Sequence, residues 1–242
     1  MRASISAANI PRRLFSPVAS DYVSRAQLLS FFQYRRWHRV LLSSLNLPPG
    51  ARVLDVASGT GALAFDLLRR PGLEVVAADI TRPMLLQAQL RSSRDGARLH
   101  LVECTAEAAP FADSTFDAVV FAYLLRYVAD LPQTLNGLAR LLRPGGVLAS
   151  LDFAIPQGLA YPLWRLYTDH LLPRAGSAFS PAWRRIGSFL GPSIRDFYDR
   201  WPEDRLLQAW RDSGFPDVQA RRLSLGGALV IWGTLGPTEK GP

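Results

Sequence analysis

Cysteine, histidine and lysine are scarce in this chain of 242 residues, and each shortage narrows the classes of protein to which it can belong. The one cysteine, Cys104, cannot form an internal disulfide or a thiolate zinc cluster. His38, His100 and His170 are too scattered for metal-ligand spacing. No apolar run approaches the roughly 20 residues that a membrane-spanning helix needs. We therefore expect no metal site, no membrane span and a reducing compartment, the cytoplasm.

The positive charge of the chain comes almost wholly from arginine. The formal net charge is +8, and the only lysine is Lys240. A basic surface can attract nucleic acid, anionic lipid or acidic substrates. The arginines are dispersed along the chain, with doublets such as Arg12-Arg13 and Arg221-Arg222, and no aromatic RNA-binding motif is present. We therefore expect no specific nucleic-acid partner, whereas peripheral contact with a membrane and the oligomeric state stay open.

The N-terminal region is predicted to be helical. The first fourteen residues contain three arginines and no acidic residue, which is loosely similar to an organelle transit peptide. A frayed terminus is the better interpretation, because a helical pattern begins directly after them. From Phe15 to Leu47, apolar residues recur at near-helical intervals. We predict a helical lid over residues 1–47.

Short apolar strands alternate with helices in the centre of the chain. The predicted strands are Arg52–Ala57, Glu74–Asp79, Arg98–Glu103, Phe116–Ala122 and Val147–Phe153. Thr81 and Asp130 are candidate N-caps of the intervening helices. Such alternation is typical of a mostly parallel sheet with right-handed crossovers.

The C-terminal part of the chain departs from this alternation. Residues 156–201 are rich in aromatic residues and prolines, and we predict that they form a helical insertion. A helix over 202–213 follows, and then two strands, Val218–Leu223 and Ala228–Thr234, predicted to form an antiparallel hairpin around Gly226-Gly227. The prediction is an α/β fold with a Rossmann-like, mostly parallel sheet, a C-terminal antiparallel hairpin and one domain over residues 48–242.

The strongest motif lies where the first predicted strand meets the next helix. Small residues in the run Asp55-Val56-Ala57-Ser58-Gly59-Thr60-Gly61 allow a ligand to approach the backbone closely, and the helix start offers free N–H donors. Asp79 ends the second strand, where a carboxylate can accept hydrogen bonds from a ribose diol. Dinucleotide enzymes share both features, so a nicotinamide oxidoreductase remains an alternative at this point.

Further motifs resemble class I S-adenosylmethionine-dependent methyltransferases. They are the segments Thr105–Phe111, Asp113–Asp117 and Leu141–Gly146. Within that class, the chain is most similar to the UbiE/COQ5 quinone-biosynthesis C-methyltransferases. That similarity covers residues 15–234 and is carried by Phe15, Ala19, Tyr22, Leu29-Ser30, Arg35, Trp37, Leu125-Arg126-Tyr127, Leu151-Asp152-Phe153, Ser193-Ile194, Phe197 and Ser213-Gly214-Phe215.

The resemblance implies S-adenosylmethionine as cofactor and a hydrophobic aromatic acceptor, with C-methylation of a prenylated benzoquinol or naphthoquinol as first choice. The implied cofactor-binding residues are Tyr22, Asp55, Ala57, Ser58, Gly59, Thr60, Gly61, Asp79, Ile80, Met84, Thr105, Ala106, Glu107 and Ala122. The implied catalytic residues are Arg126, Asp152 and Tyr127.

Three of these positions depart from the family pattern. Thr105, Tyr127 and Asp152 stand where the family usually has aspartate, asparagine and glutamate. The departures leave two alternatives open: a specialised-metabolite or lipid methyltransferase with an O, N or different C acceptor, and a non-catalytic S-adenosylmethionine-binding module. Arg126 is expected to stabilise a phenolate, to orient the water that takes the phenolic proton, or to form a structural ion pair with Asp130 or Asp152.

Overall fold

Seven strands form one sheet in the computed structural model, which describes residues 9–96 and 99–237. In chain order the strands are β1 (Arg52–Val56), β2 (Glu74–Asp79), β3 (His100–Glu103), β4 (Phe116–Ala122), β5 (Leu142–Phe153), β6 (Gln219–Leu223) and β7 (Ala228–Thr234). Their order across the sheet is β3-β2-β1-β4-β5-β7-β6. The first five strands pair in parallel, and β7 is antiparallel to both β5 and β6. The predicted Rossmann-like sheet with a C-terminal antiparallel hairpin is confirmed.

Helices cover both faces of this sheet. They are α1 (Asn9–Phe15), α2 (Tyr22–Leu29), α3 (Gln33–Ser43), α4 (Ala62–Leu68), α5 (Arg82–Asp95), α6 (Leu131–Arg140), α7 (Ala160–Leu166), α8 (Leu172–Ser177), α9 (Pro181–Arg200) and α10 (Glu203–Asp212). A π-helical turn, Tyr167–Leu171, joins α7 to α8. Within the described ranges, no helix is long and apolar enough to cross a membrane.

Alternate residues of each central strand belong to two different cores. In β1, Leu54 packs with α6 and α10, whereas Val53 packs with α3 and α4. Successive side chains of a strand point to opposite faces, so burial of both faces produces continuous apolar strands. This double burial leaves the carboxyl edge of the parallel strands as the place where loops can form a ligand site.

Several predicted boundaries shift in the structure. The strand β1 ends at Val56 because Ala57 has a φ of +54°, and β5 begins at Leu142, which pairs with Phe116 before a bulge. The predicted start of β3 at Arg98 lies outside the described residues. Asp130 caps α6 by accepting a 2.8 Å hydrogen bond from the Gln133 N–H, as predicted. Thr81 occupies the N-cap position of α5, but its side chain makes no capping bond.

The N-terminal region is not one continuous helix, which corrects the prediction over Phe15–Leu47. Between α2 and α3, Phe31 and Phe32 both lie in the left-handed region, with φ values of +50° and +62°. A bulky residue in that region costs on the order of 1–3 kcal/mol. The division into a lid over 1–47 and a core over 48–242 stays a prediction, and residues 1–8 lie outside the described ranges.

Candidate active site

The turn after β1 is fastened to the end of β2 by Asp79. Its Oδ2 accepts a 2.8 Å hydrogen bond from the Gly59 N–H, and its Oδ1 accepts a 2.6 Å bond from the Thr81 N–H. The Ser58 N–H donates to the Ala78 carbonyl at 3.0 Å. Burial raises the pKa of Asp79, and its hydrogen bonds from Thr81 and Gly59 oppose that rise. Asp79 therefore shapes the turn, and its carboxylate keeps accepting capacity for a ligand.

A cavity of about 110 Å³ lies at this turn, at the carboxyl ends of β1 and β2. Ten of the fourteen predicted cofactor residues line it: Tyr22, Asp55, Ala57, Ser58, Gly59, Thr60, Asp79, Ile80, Met84 and Ala122. Three more, Thr105, Ala106 and Glu107, line a smaller adjoining cleft that shares Ala57 and Ile80. We call the two together the polar crevice.

Gly61 lines neither part of the polar crevice. Its φ is +77°, and its N–H bonds to the Ser58 carbonyl at 2.9 Å. A Cβ at this position would lie 3.1 Å from the Phe65 ring. The requirement for glycine here therefore comes from the turn and its packing.

Among the predicted cofactor-binding residues of the polar crevice, three buried side-chain atoms lack partners in the described part of the chain. They are Asp55 Oδ1, Ser58 Oγ and Thr60 Oγ1. Because buried polar groups are normally hydrogen-bonded, this carboxylate oxygen and these two hydroxyl groups fit a polar ligand with hydroxyl and amino groups, such as the aminoacyl and ribosyl parts of S-adenosylmethionine. Thr105 differs, since its hydroxyl oxygen accepts a 3.1 Å bond from the Ala108 N–H and so caps the turn Ala106–Ala108.

Sequence reasoning missed part of the crevice wall. Tyr34, His38 and Tyr123 line it, and none of them is among the predicted site residues. His38 is 2% exposed, its Nε2 has no partner among the described residues, and burial lowers its pKa to about 3. Tyr34 and His38 are one helical turn apart on α3, with ring centroids 4.1 Å apart. The i, i+4 spacing of Tyr34 and His38 on an apolar helix face is the sequence signal that could have indicated that they lie side by side.

A second cavity, of about 240 Å³, adjoins the polar crevice, and we call it the apolar cavity. It lies between α2, α3, α7, α8, α9 and the end of β5. Its lining includes Trp37, Phe153, Trp164, Trp183, Leu190 and Ile194. Five aromatic residues line both cavities and form the wall between them: Phe15, Tyr22, Tyr34, Tyr123 and Tyr127. The arrangement suits two ligands of different polarity that meet at one wall.

Among the described residues, Arg126 is the one charged residue in the lining of the apolar cavity. Its Nε donates to Asp152 Oδ1 at 2.9 Å, and one terminal nitrogen donates to the Ser193 hydroxyl at 3.0 Å. The Arg126 side chain is 1% exposed. Burial lowers the pKa of Arg126, but Asp152 together with Tyr127 and Tyr22 more than offsets this, so the pKa ends above its ordinary value. Arg126 is therefore a fixed cation and not a base.

Asp152 lies behind Arg126 and lines neither cavity. Its Oδ1 also accepts a 2.8 Å bond from the Phe153 N–H, and its Oδ2 is buried without a partner among the described residues. Burial raises the pKa of Asp152, and Arg126 opposes the rise. The geometry assigns Asp152 to positioning Arg126, and Asp130, the other candidate partner, is engaged as a helix cap. Tyr127, predicted as catalytic, lies in the dividing wall, in edge contact with Phe15 and stacked on Phe189.

The described residues contain no cluster of histidine, cysteine and carboxylate side chains that could hold a metal ion.

Known proteins similar to this chain agree with the geometry. The ubiE/COQ5 methyltransferase family matches it over residues 6–234. The demethylmenaquinone methyltransferase of Thermus thermophilus is 40% identical over 219 residues, which cover 90% of this chain and 97% of the relative. The ubiquinone/menaquinone biosynthesis C-methyltransferase UbiE of Roseobacter denitrificans is 35% identical over 221 residues, 90% of this chain and 87% of the relative.

Solved structures support the fold. A Haloferax volcanii complex of a methyltransferase with the Trm112 methyltransferase activator matches with a TM-score of 0.66 at 17% identity, covering 93% of this chain and 99% of the other. A SAM-dependent methyltransferase from Aquifex aeolicus matches with a TM-score of 0.56 at 19% identity, covering 82% and 89%. With its fold and its sequence in agreement, the chain belongs to the ubiE/COQ5 methyltransferase family.

Proposed function

We propose that the protein transfers the methyl group of S-adenosylmethionine to a ring carbon of a prenylated benzoquinol or naphthoquinol. The observation that carries the proposal is the junction of the two cavities: a polar crevice with unpaired acceptors meets an apolar cavity that presents one buried cation. The names of the relatives, which are quinone-biosynthesis and demethylmenaquinone methyltransferases, agree with that chemistry.

The polar crevice would hold the cofactor, which supplies an electrophilic methyl group. Asp79 would accept hydrogen bonds from the ribose hydroxyls, and Asp55, Ser58 and Thr60 offer the unpaired buried atoms described above. The aromatic wall excludes bulk water from the reacting centre and orients the two ligands relative to each other.

Arg126 would act on the acceptor. Removal of a phenolic proton from the quinol, to water, places electron density on the ring carbon beside the hydroxyl. The guanidinium stabilises the resulting phenolate, and in a water-poor cavity this electrostatic effect is large. The ring carbon would then form its bond to the methyl group while the sulfur–methyl bond breaks, with the electron pair staying on the departing S-adenosylhomocysteine. Loss of the ring proton to water and return of one proton to the phenolate oxygen would restore the aromatic quinol. Asp152 and Ser193 fix the guanidinium in place, so the positive charge needs no rearrangement during the reaction.

The lining of the apolar cavity supports a hydrophobic acceptor. Its wall is built of tryptophan, tyrosine, phenylalanine and aliphatic side chains, and burial of apolar surface contributes about 25 cal/mol per Å². A prenyl tail would gain this energy, whereas a small polar acceptor would not.

The test is incubation with methyl-labelled S-adenosylmethionine and prenylated quinols prepared by chemical reduction of the quinones, followed by mass spectrometry and NMR of the product. We expect label on a ring carbon, and a sharp fall in rate when the tail is removed. Label on an oxygen or nitrogen would favour the alternative acceptors. Cofactor binding with no transfer to any quinol or lipid extract would favour the binding module.

A further inference from the structure

Large apolar side chains are exposed around one part of the molecule. Leu159 is 95% exposed, Leu225 85%, Leu163 69%, Phe31 68% and Phe32 65%. We call these five residues the apolar rim. Single exposed apolar residues are common, but a contiguous group of this kind usually marks an interaction surface.

Contacts between three chain segments bring the apolar rim together. The Ser224 hydroxyl donates to Gln33 Oε1 at 3.2 Å, which holds the Leu225 turn beside Phe32. The Arg222 guanidinium donates to the Ile155 carbonyl at 3.1 Å, which ties the same turn to the segment leading to Leu159. The rings of Phe31 and Tyr167 lie 5.2 Å apart, which connects the Phe31–Phe32 turn to the helices after Leu163.

The apolar rim lies beside the apolar cavity. Phe31 lines that cavity although most of its side chain is exposed, so the cavity reaches the surface beside it. Ser224 and Gly227 line it from the Leu225 turn, and Trp164 lines it from α7. The other four residues of the rim lie outside the lining.

The backbone holds three residues of the rim in a strained conformation. Phe31, Phe32 and Leu225 have φ values of +50°, +62° and +58°. Bulky side chains seldom adopt this region, and such strain persists mainly where it serves a function. Here its effect is to point large apolar side chains into solvent.

The chain segments that form the rim carry arginines and no acidic residue, although Glu203 and Asp169 from neighbouring segments form ion pairs with Arg222 and Arg165. The sequence contains no acidic residue between Tyr22 and Leu54, between Phe153 and Thr168, or between Val218 and Pro237. Arg35 and Arg36 follow the Phe31–Phe32 turn directly and are exposed, and neither forms an ion pair within the described residues. Apolar side chains flanked by unpaired arginines complement an anionic lipid surface, where each cation adds to the attraction.

We propose that the apolar rim inserts into the interface of an anionic lipid bilayer, with the opening of the apolar cavity against the membrane. A hydrophobic acceptor then passes from the bilayer into the cavity without crossing water. That last step depends on the proposed function, whereas binding to the bilayer does not.

The test is sedimentation of the full chain with phosphatidylcholine vesicles that either contain or lack phosphatidylglycerol. We expect binding to the anionic vesicles, weaker binding to the neutral ones, and a loss of affinity of at least about tenfold in the triple variant Phe32→Ser/Leu159→Ser/Leu225→Ser. The matched control is Leu86→Ser/Leu90→Ser on α5, whose side chains are 47% and 64% exposed but lie outside every cavity lining, and it should bind like wild type. Arg35→Gln/Arg36→Gln should reduce the preference for anionic vesicles.

Full binding by the triple variant, or equal losses in the triple variant and the control, would overturn the proposal. Conversion of a wild-type dimer to a monomer in the triple variant, without vesicle binding by either protein, would assign the rim to contact between copies. Vesicle binding requires no methyl transfer, so a failure of the proposed function gives a different pattern: normal binding with no product.

Discussion

The two cavities are built in different ways, although they share one wall. The polar crevice is made of strand ends and a tight turn, and its polar atoms are placed by backbone hydrogen bonds such as that from the Gly59 N–H to Asp79. The apolar cavity is made of side chains from six elements, and its one cation is placed by side-chain contacts to Asp152 and Ser193. A sheet edge supplies the first site, whereas the second depends on how the helices pack over that edge. Substitutions should therefore separate cofactor binding from acceptor chemistry.

The largest separation is expected at Arg126. Arg126→Ala leaves Asp152 buried without its partner, which should cost about 3–5 kcal/mol of folding free energy. It should also lower turnover about a hundredfold, through loss of charge stabilisation. Chemical denaturation and steady-state kinetics measure the two effects, and affinity for S-adenosylmethionine should change little.

A double variant distinguishes the chemical role of Arg126 from its structural role. Arg126→Leu/Asp152→Leu removes both charges and should recover most of the stability but none of the turnover. Arg140→Ala, which breaks the exposed pair with Asp113, should cost less than about 1 kcal/mol and serves as the control. If the double variant turned over like wild type, Arg126 would have no part in the reaction.

Asp79 is the corresponding residue of the polar crevice. Asp79→Ala should weaken S-adenosylmethionine binding by about 1.5–3 kcal/mol for each charge-assisted bond to the ribose. Calorimetry would measure this. Asp117→Ala is a matched control, because Asp117 also accepts a backbone N–H, from Arg52 at 2.7 Å, but lies outside both cavities. Unchanged affinity in a folded Asp79→Ala protein would remove Asp79 from the cofactor site.

The burial of His38 predicts how the stability of the protein depends on pH. Its folded pKa is about 3, whereas an unfolded histidine has about 6.5, so below about pH 6.5 the unfolded chain takes up a proton that the folded protein does not. Stability should therefore fall as the pH drops from 6.5 towards 3, by roughly 1.4 kcal/mol per pH unit. Between about pH 7 and pH 5, wild type should lose about 2 kcal/mol more than His38→Gln in denaturant titrations. Parallel stability curves for the two proteins would show that His38 does not titrate this way.

The smallest effect is expected at Gly59. Gly59 and Gly96 have φ values of +56° and +65°, and a Cβ at either would meet no atom within 4 Å. Both alanine variants should lose about 1 kcal/mol of stability through backbone strain. Only Gly59→Ala fills space in the polar crevice, so only it should weaken cofactor binding, by about tenfold. Equal cofactor affinity of the two variants would mean that the ligand does not approach this turn.

The same difference in construction explains what the sequence could predict. Short apolar runs and turn residues are local signals, so the strands, the Gly-rich turn and Asp79 could be placed to within a few residues. The ion pair of Arg126 was narrowed to two aspartates, but the choice of Asp152 needed the fold, because 26 residues separate them. The turn at Phe31-Phe32 contains no glycine, so its left-handed backbone conformation could not be predicted from the sequence. The apolar cavity depends on the packing of α7, α8 and α9, and for that reason the sequence could not place Trp164 and Trp183 in the site.

The most direct test of the account is a structure of the protein with S-adenosylhomocysteine and a prenylated quinone bound together. The account predicts the adenosyl group in the polar crevice with its ribose hydroxyls on Asp79, and the quinone in the apolar cavity. One quinone oxygen should lie within hydrogen-bond distance of Arg126, and the ring carbon beside it should face the sulfur where the two cavities meet, with no side chain between them. A quinone bound elsewhere, or a ring whose oxygens lie away from Arg126, would contradict it.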